Sequence, residues 1–190
     1  MAERKRTAGQ AAAAPNEPLD GRVAGAAGVR IEPAGPAFRM SLRARGEDIE
    51  ALSKALGLDL PLAPKTSVMA ASGRRALWLG PDEWLIVDEA ADPMKDLSKV
   101  EALHSAVDVS HRNVAIEVSG RGARATLEAG CPQNLSDAVF PVGACSRTVL
   151  GKIEVVILRT GEEAFRVECW RSFSDYAFTF LSEAAGDCLA

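Results

Sequence analysis

A run of alternating apolar and polar residues that ends in glycine and then enters a helical pattern occurs twice in this chain. That recurrence limits the available folds more than any other feature. Met40-Ser-Leu-Arg-Ala-Arg-Gly46 overlays Ile116-Glu-Val-Ser-Gly-Arg-Gly122 at an offset of 76 residues, while Val87 overlays Val167 and Pro93 overlays Phe173 at an offset of 80. Each half reads strand, helix, hairpin, helix, and Val107–Ser110 is free to close the first sheet. The expected class is α+β, with two pseudo-repeated ferredoxin-like lobes at about 37–110 and 111–186 inside a single domain spanning 31–190.

Local signals place the elements. Phe38, Met40, Leu42 and Ala44 alternate with Arg39, Ser41, Arg43 and Arg45, the period of a half-buried strand. Glu47-Asp-Ile-Glu50 opens a helix with its acids near the positive end of the dipole, and Gly57 stops it. Arg75–Val87 reads as a hairpin turning at Gly80-Pro-Asp-Glu83. Asp92-Pro93 starts a helix whose stripe is Leu97, Val100 and Leu103 or His104. In the second half Val114, Ile116 and Val118 lead to Ser119 as N-cap of a helix holding Ala123 and Leu127. Strands follow around Ser146–Leu150, Ile153–Leu158 and Ala164–Cys169. Ser172 and Asp175 resemble a capping box, and Phe173, Tyr176, Phe180 and Leu181 form the stripe of the last helix, with Ala177 and Ala184 alongside.

Residues 1–30 are rich in Ala, Gly and Pro and poor in large apolar side chains, so burial cannot offset the entropy of ordering them. They are expected to form a flexible N-terminal arm, with Leu19, Val23, Val29 and Ile31 as anchors on a neighbour and order beginning near Ala37. A net charge of −4 argues against a general nucleic-acid footprint. No apolar run approaches the roughly 20 residues of a bilayer span, so the expected location is cytoplasmic. The four cysteines, Cys131, Cys145, Cys169 and Cys188, share no metal spacing. They are read as reduced and buried.

Val107–Gly122 holds the strongest candidate site, because Asp108, Ser110 and His111 are the residue types of a hydrolytic triad. Neighbours on a regular strand point to opposite faces, which separates Ser110 from His111. The apolar positions also switch from odd to even, which puts a turn or bulge at His111–Asn113. Asp108 and Ser110 are therefore read as tying down a bend. Gly120-Arg-Gly122 lacks the third glycine of a phosphate loop and reads as a tight turn. Trp78 and Trp84 read as core or interface anchors, and Arg171 as half of a surface ion pair. The residues thus offer no catalytic, cofactor-binding or metal-binding set.

Leu77-Trp-Leu-Gly-Pro-Asp-Glu-Trp-Leu85, Val107-Asp-Val-Ser-His-Arg112, Gly130-Cys-Pro132, Phe140-Pro-Val-Gly143 and Arg171-Ser-Phe-Ser-Asp175 together resemble the gamma subunit of heterotetrameric sarcosine oxidase. The resemblance runs from about Pro18 to the last helix. It implies a structural subunit in the oxidative demethylation of sarcosine to glycine, with hydrogen peroxide and 5,10-methylenetetrahydrofolate as the other products. It further implies alpha, beta and delta partners, mainly alpha, with FAD, FMN, NAD, zinc and tetrahydrofolate held by those other subunits. A more distant similarity is to the folate-binding T-protein of the glycine cleavage system, which implies a T-protein-like fold. In that family an acid pair positions folate. The matching stretch here, Leu150–Ile157, keeps only Glu154 and has Val155 where the second acid would stand. The alternative functions are a folate-binding one-carbon transferase using Glu154 in a hollow between the lobes, and a small hydrolase using Ser110 and His111.

Overall fold

The computed structural model describes residues 17–187. The elements are β1 (Ala24–Ala26), β2 (Val29–Pro33), β3 (Phe38–Ala44), α1 (Asp48–Leu56), β4 (Ser67–Met69), β5 (Arg75–Gly80), β6 (Glu83–Asp88) and α2 (Pro93–Leu97). After these come β7 (His104–Asp108), β8 (Asn113–Ser119), α3 (Ala123–Glu128), β9 (Cys145–Leu150), β10 (Ile153–Gly161), β11 (Ala164–Trp170) and α4 (Ser174–Asp187). A single 3-10 turn at Arg171–Phe173 leads into α4.

Two antiparallel sheets form, in the orders β7-β3-β6-β5-β4 and β1-β2-β8-β11-β10-β9. Helices α1 and α2 cover the outer face of the first through Leu52, Leu56 and Leu97, which pack on Met40, Leu42, Trp84 and Ile86. Helices α3 and α4 cover the second, where Leu127, Phe178 and Leu181 meet Ile116, Val155 and Val167. The inner faces meet through Leu77, Leu85, Val87, Val109, Cys145, Val156 and Leu158. The result is a four-layer α+β arrangement. The sheets are also stitched at one corner, where Ser67 N–H donates to Gly143 C=O (3.0 Å) and Cys145 N–H to Lys65 C=O (3.1 Å).

The outer strands are exchanged. β2 directly precedes β3 in the chain yet pairs with β8, with Ile31 opposite Val118. β7 directly precedes β8 yet pairs with β3, with Ala106 opposite Leu42. Neither sheet is complete without a strand from the other side of the chain. Within each sheet Met40 faces Ile86 and Ile116 faces Val167. If Met40 corresponds to Ile116, the counterpart of Val167 is therefore Ile86 and not Val87. The physical reason is the two-residue side-chain period, since a one-residue slip would exchange faces.

Several local expectations are corrected. The arm does not extend to residue 30. Leu19, Val29 and Ile31 are buried in the second sheet's core, β2 takes a place in that sheet, and Val23 alone of the four anchors is exposed. Few apolar residues suffice here because the backbone of β2 gains a full ladder. Residues 1–16 lie outside the described residues. Helix α2 stops at Leu97; Val100 follows it, Leu103 is exposed and His104 opens β7. Ser119 ends β8, and Gly122 caps α3. Ser172 is not a cap: it lies within the 3-10 turn, and Ser174 donates to the Arg171 carbonyl instead. The buried stripe of α4 is Ser174, Ala177, Phe178, Leu181, Ala184 and Ala185, while Phe173 and Tyr176 are exposed.

Asp92 caps α2 by accepting from Met94 N–H (3.0 Å), and Gly57 ends α1 at φ 69, both as the sequence implies.

Candidate functional site

The bend after β7 lies where the apolar parity changes. Arg112 and Asn113 N–H groups both turn back to the Val109 carbonyl, at 3.0 and 3.1 Å. The Asp108 carboxylate accepts from Ser110 twice, from Oγ at 2.5 Å and from the backbone N–H at 2.9 Å. Ser110 Oγ in turn accepts from Arg39 N–H at 2.9 Å. The serine proton is thus committed to an aspartate and the oxygen to the neighbouring strand, while His111 is exposed. Hydrogen bonds from Ser110 hold the Asp108 carboxyl below the usual carboxylate range. Asp108 and Ser110 thereby fasten the bend to itself and to β3.

The Gly120–Gly122 turn is likewise occupied. Gly120 N–H donates to Glu163 C=O (2.8 Å) and Gly122 N–H to Gly28 C=O (3.2 Å), so these donors are not aimed at an anion. Gly120 has φ 103, and a Cβ on it would lie 2.3 Å from the Gly28 oxygen. Trp78 and Trp84 are directly opposed across the hairpin. Trp84 is fully buried and donates to Pro61 C=O at 2.7 Å. Arg171 stands 3.7 Å from Glu17, an ion pair at the surface. Cys131, Cys145 and Cys169 are buried as free thiols. Burial pushes the Cys145 and Cys169 thiols up to about 12, which suppresses the reactive thiolate. Cys188 lies outside the described residues. Among the described residues no three His, Cys, Asp or Glu side chains come together as a metal site.

The polar groups with the most pronounced environment lie between the sheets. Arg39 of β3 donates through Nε to Glu168 of β11 at 2.6 Å, and Arg166 donates to the other oxygen of the same carboxylate at 2.8 Å. Their side chains are 4%, 3% and 1% exposed for Arg39, Arg166 and Glu168. Arg166 also meets Glu117 and Glu89, each at 3.0 Å. Burial raises the Glu117 carboxyl even though Arg166 pulls it down. Sequence reasoning misses this network for a simple reason. Arg39 sits at a polar position of an alternating strand, and alternation cannot tell a solvent-facing side from one that faces a second sheet.

At the open end of the same layer lies a hollow of about 260 Å³, lined among others by Arg43, Glu83, Arg112, Arg147, Glu154 and Trp170. Glu83 is held by two guanidiniums, Arg43 at 2.9 Å and Arg147 at 2.6 Å. Glu154 stands exposed without an ion pair or hydrogen bond among the described residues. The arrangement binds charges to one another and leaves one carboxylate without a second proton-transfer group beside it.

Residues 44–187 match the family described as sarcosine oxidase, gamma subunit family. The chain belongs to that family. It is 32% identical to a sarcosine oxidase subunit gamma of Corynebacterium sp. (strain P-1), over 72% of this chain and 69% of the relative. It is 34% identical to one from Arthrobacter sp., over 70% and 68%. Among solved structures it is similar to a chain of the heterotetrameric sarcosine oxidase from Corynebacterium sp. U-96. There the TM-score is 0.80 at 28% identity, covering 85% of this chain and 86% of that one. A fold likeness extends to glycine cleavage system aminomethyltransferase T from Bartonella henselae, with TM-score 0.58 at 16% identity, over 84% and 49%. The family match spans both Leu77–Leu85 and Val107–Arg112. No helix among the described residues is long and apolar enough to cross a membrane.

Proposed function

We propose that this chain serves as the structural gamma subunit of a cytoplasmic heterotetrameric sarcosine oxidase and contributes no reacting group. Its partners are the alpha, beta and delta subunits, chiefly alpha, and its role is to support their assembly. In this reading the complex demethylates sarcosine oxidatively to glycine, with hydrogen peroxide and 5,10-methylenetetrahydrofolate as products. FAD, FMN, NAD, zinc and tetrahydrofolate reside on the other subunits. The observation that carries the reading is the pairing of charges between the sheets. Glu168, Glu117 and Glu83 are each engaged by a guanidinium, and the serine of the triad-like bend is engaged by Asp108. The complex purified with and without this chain tests it: omission should reduce assembled, active enzyme, and three remaining subunits that assemble with full activity would refute the role.

One observation favours a second reading, since Glu154 lines the hollow in which a folate-binding transferase would need an acid. The residues do not fit that ligand. The hollow, at about 260 Å³, lies below the roughly 300–1,000 Å³ of small-molecule sites. The Glu83 ion pairs with Arg43 and Arg147 occupy its wall, and the second acid is replaced by Val155. Calorimetric titration of the chain with tetrahydrofolate should give no binding heat. Micromolar binding abolished by Glu154→Gln would establish the transferase reading instead.

A further inference from the structure

Helix α4 has one buried apolar side, and Tyr176 on its outer first turn extends an aromatic ridge that begins before the helix. The buried side is made of small residues with Phe178 and Leu181, and it fills the core. The ridge starts at the end of β11: Trp170, Phe173 and Tyr176 follow one another at intervals of three residues and are 42%, 39% and 37% exposed. Three successive large aromatics in water are costly unless something covers them.

These side chains are held in place. Trp170 has the Arg112 guanidinium 5.5 Å from its ring centroid and the Phe173 ring stacked at 5.8 Å. Tyr176 stacks on Phe180 at 6.2 Å, and its hydroxyl accepts from Lys152 N–H at 3.2 Å. Gly151 and Gly130 form their seats. A Cβ on Gly151 would lie 2.3 Å from the Tyr176 hydroxyl oxygen, and one on Gly130 would lie 2.4 Å from the Phe180 ring. Rigid aromatic and arginine anchors of this kind lose little entropy on association. Arg112 has no carboxylate partner among the described residues, and Glu154, on the same hollow, has no cation.

We infer that the ridge Trp170–Phe173–Tyr176 with Arg112 is the docking surface for another subunit of the complex. The partner presents apolar side chains to the aromatics, a carboxylate to Arg112 and a cation to Glu154. This rests on the gamma-subunit reading, in which an assembly of four different subunits supplies no second copy of this chain to cover the ridge. Residues 1–16 have an unsuited composition for the cover, because Met1 is their sole large apolar side chain and Arg4-Lys-Arg6 carries the same charge as Arg112.

The test is co-expression of the tagged full-length chain with the other three subunits, comparing wild type, Trp170→Ala, Arg112→Glu and Leu62→Ala. Leu62 is an exposed apolar residue elsewhere. Loss of a central anchor should weaken association about 30-fold. Trp170→Ala and Arg112→Glu should therefore lose the partners while still melting cooperatively as folded chains, and Leu62→Ala should keep them. Hydrogen exchange on the wild-type chain gives an independent reading without a variant, with residues 170–180 protected on assembly. If the wild-type complex forms but both variants bind fully and that segment gains no protection, the docking surface is wrong and the subunit reading stands. If the wild-type chain captures no subunit, both fall. If sedimentation finds a dimer of the isolated chain that Trp170→Ala dissolves, a second copy is the occupant and the inference is overturned.

Discussion

Replacing Glu168 by glutamine puts the inter-sheet charge layer to its most direct test. The carboxylate is 1% exposed and accepts two charge-assisted hydrogen bonds, from Arg39 at 2.6 Å and Arg166 at 2.8 Å. Arg166 keeps Glu117 and Glu89 after the change. Arg39 keeps only uncharged acceptors for its side chain, the Ala37 carbonyl at 3.1 Å and at most the single amide oxygen of the new glutamine. One buried guanidinium is therefore orphaned, and breaking a buried pair this way costs about 3–5 kcal/mol. For a domain of this size that corresponds to a drop in melting temperature of roughly 6–20 °C, taking about 2–4 °C per kcal/mol. Urea unfolding followed by circular dichroism gives the free energy, and a thermal scan gives the shift. Adding Arg39→Met removes the orphan, so the double variant should recover at least about 2 kcal/mol of the loss. A single-variant loss under about 1 kcal/mol, or a double variant whose costs simply add, would refute the argument.

Ser110→Ala should cost about 1–2 kcal/mol, because Arg39 N–H and Asp108 both lose a partner. Urea unfolding measures it, and the wild-type chain should show no esterase activity for the variant to lose. Gly120→Ala should destabilise by about 3 kcal/mol, since a positive φ and an unyielding backbone oxygen at 2.3 Å act together. A melting temperature like that of wild type would contradict the turn geometry. Asp88 gives a pH signature. Burial pushes its carboxyl up, but the Ala91 and Ala90 N–H groups and Arg74 outweigh that and hold it below its ordinary value. Its contribution is therefore present above the unfolded value near 3.9 and lost as pH falls through the lower folded value. The melting-temperature gap between wild type and Asp88→Asn should be full above about pH 5 and close below about pH 4; a gap that stays constant with pH would count against it.

Much of the fold is legible locally because the signals are local. Asp92-Pro93 at a helix start, Gly57 at a helix end and the Gly80–Glu83 hairpin depend on backbone chemistry within a few residues. The rotation of α4 is only partly so: Ala177, Leu181 and Ala184 are placed on the buried side, whereas only contact with α3, β1, β2 and β11 turns Phe178 inward and leaves Phe173 and Tyr176 outside. Residues 24–33 are similarly ambiguous: their poor composition argues for mobility, yet a vacant sheet edge at β8 recruits them.

The chain by itself determined the strands other than β1, β2 and β4, the helix ends at Asp92 and Gly57, the parity switch after Val109 and the family to which the motifs point. Those are set by side-chain period and near-neighbour hydrogen bonding. Tertiary structure alone decided that β2 and β7 trade places between sheets, that Arg39 and Arg166 share Glu168 in the interior, and that Trp170, Phe173 and Tyr176 face outward. Each of these depends on which surfaces far apart in sequence meet across the layer, and periodicity carries no record of that.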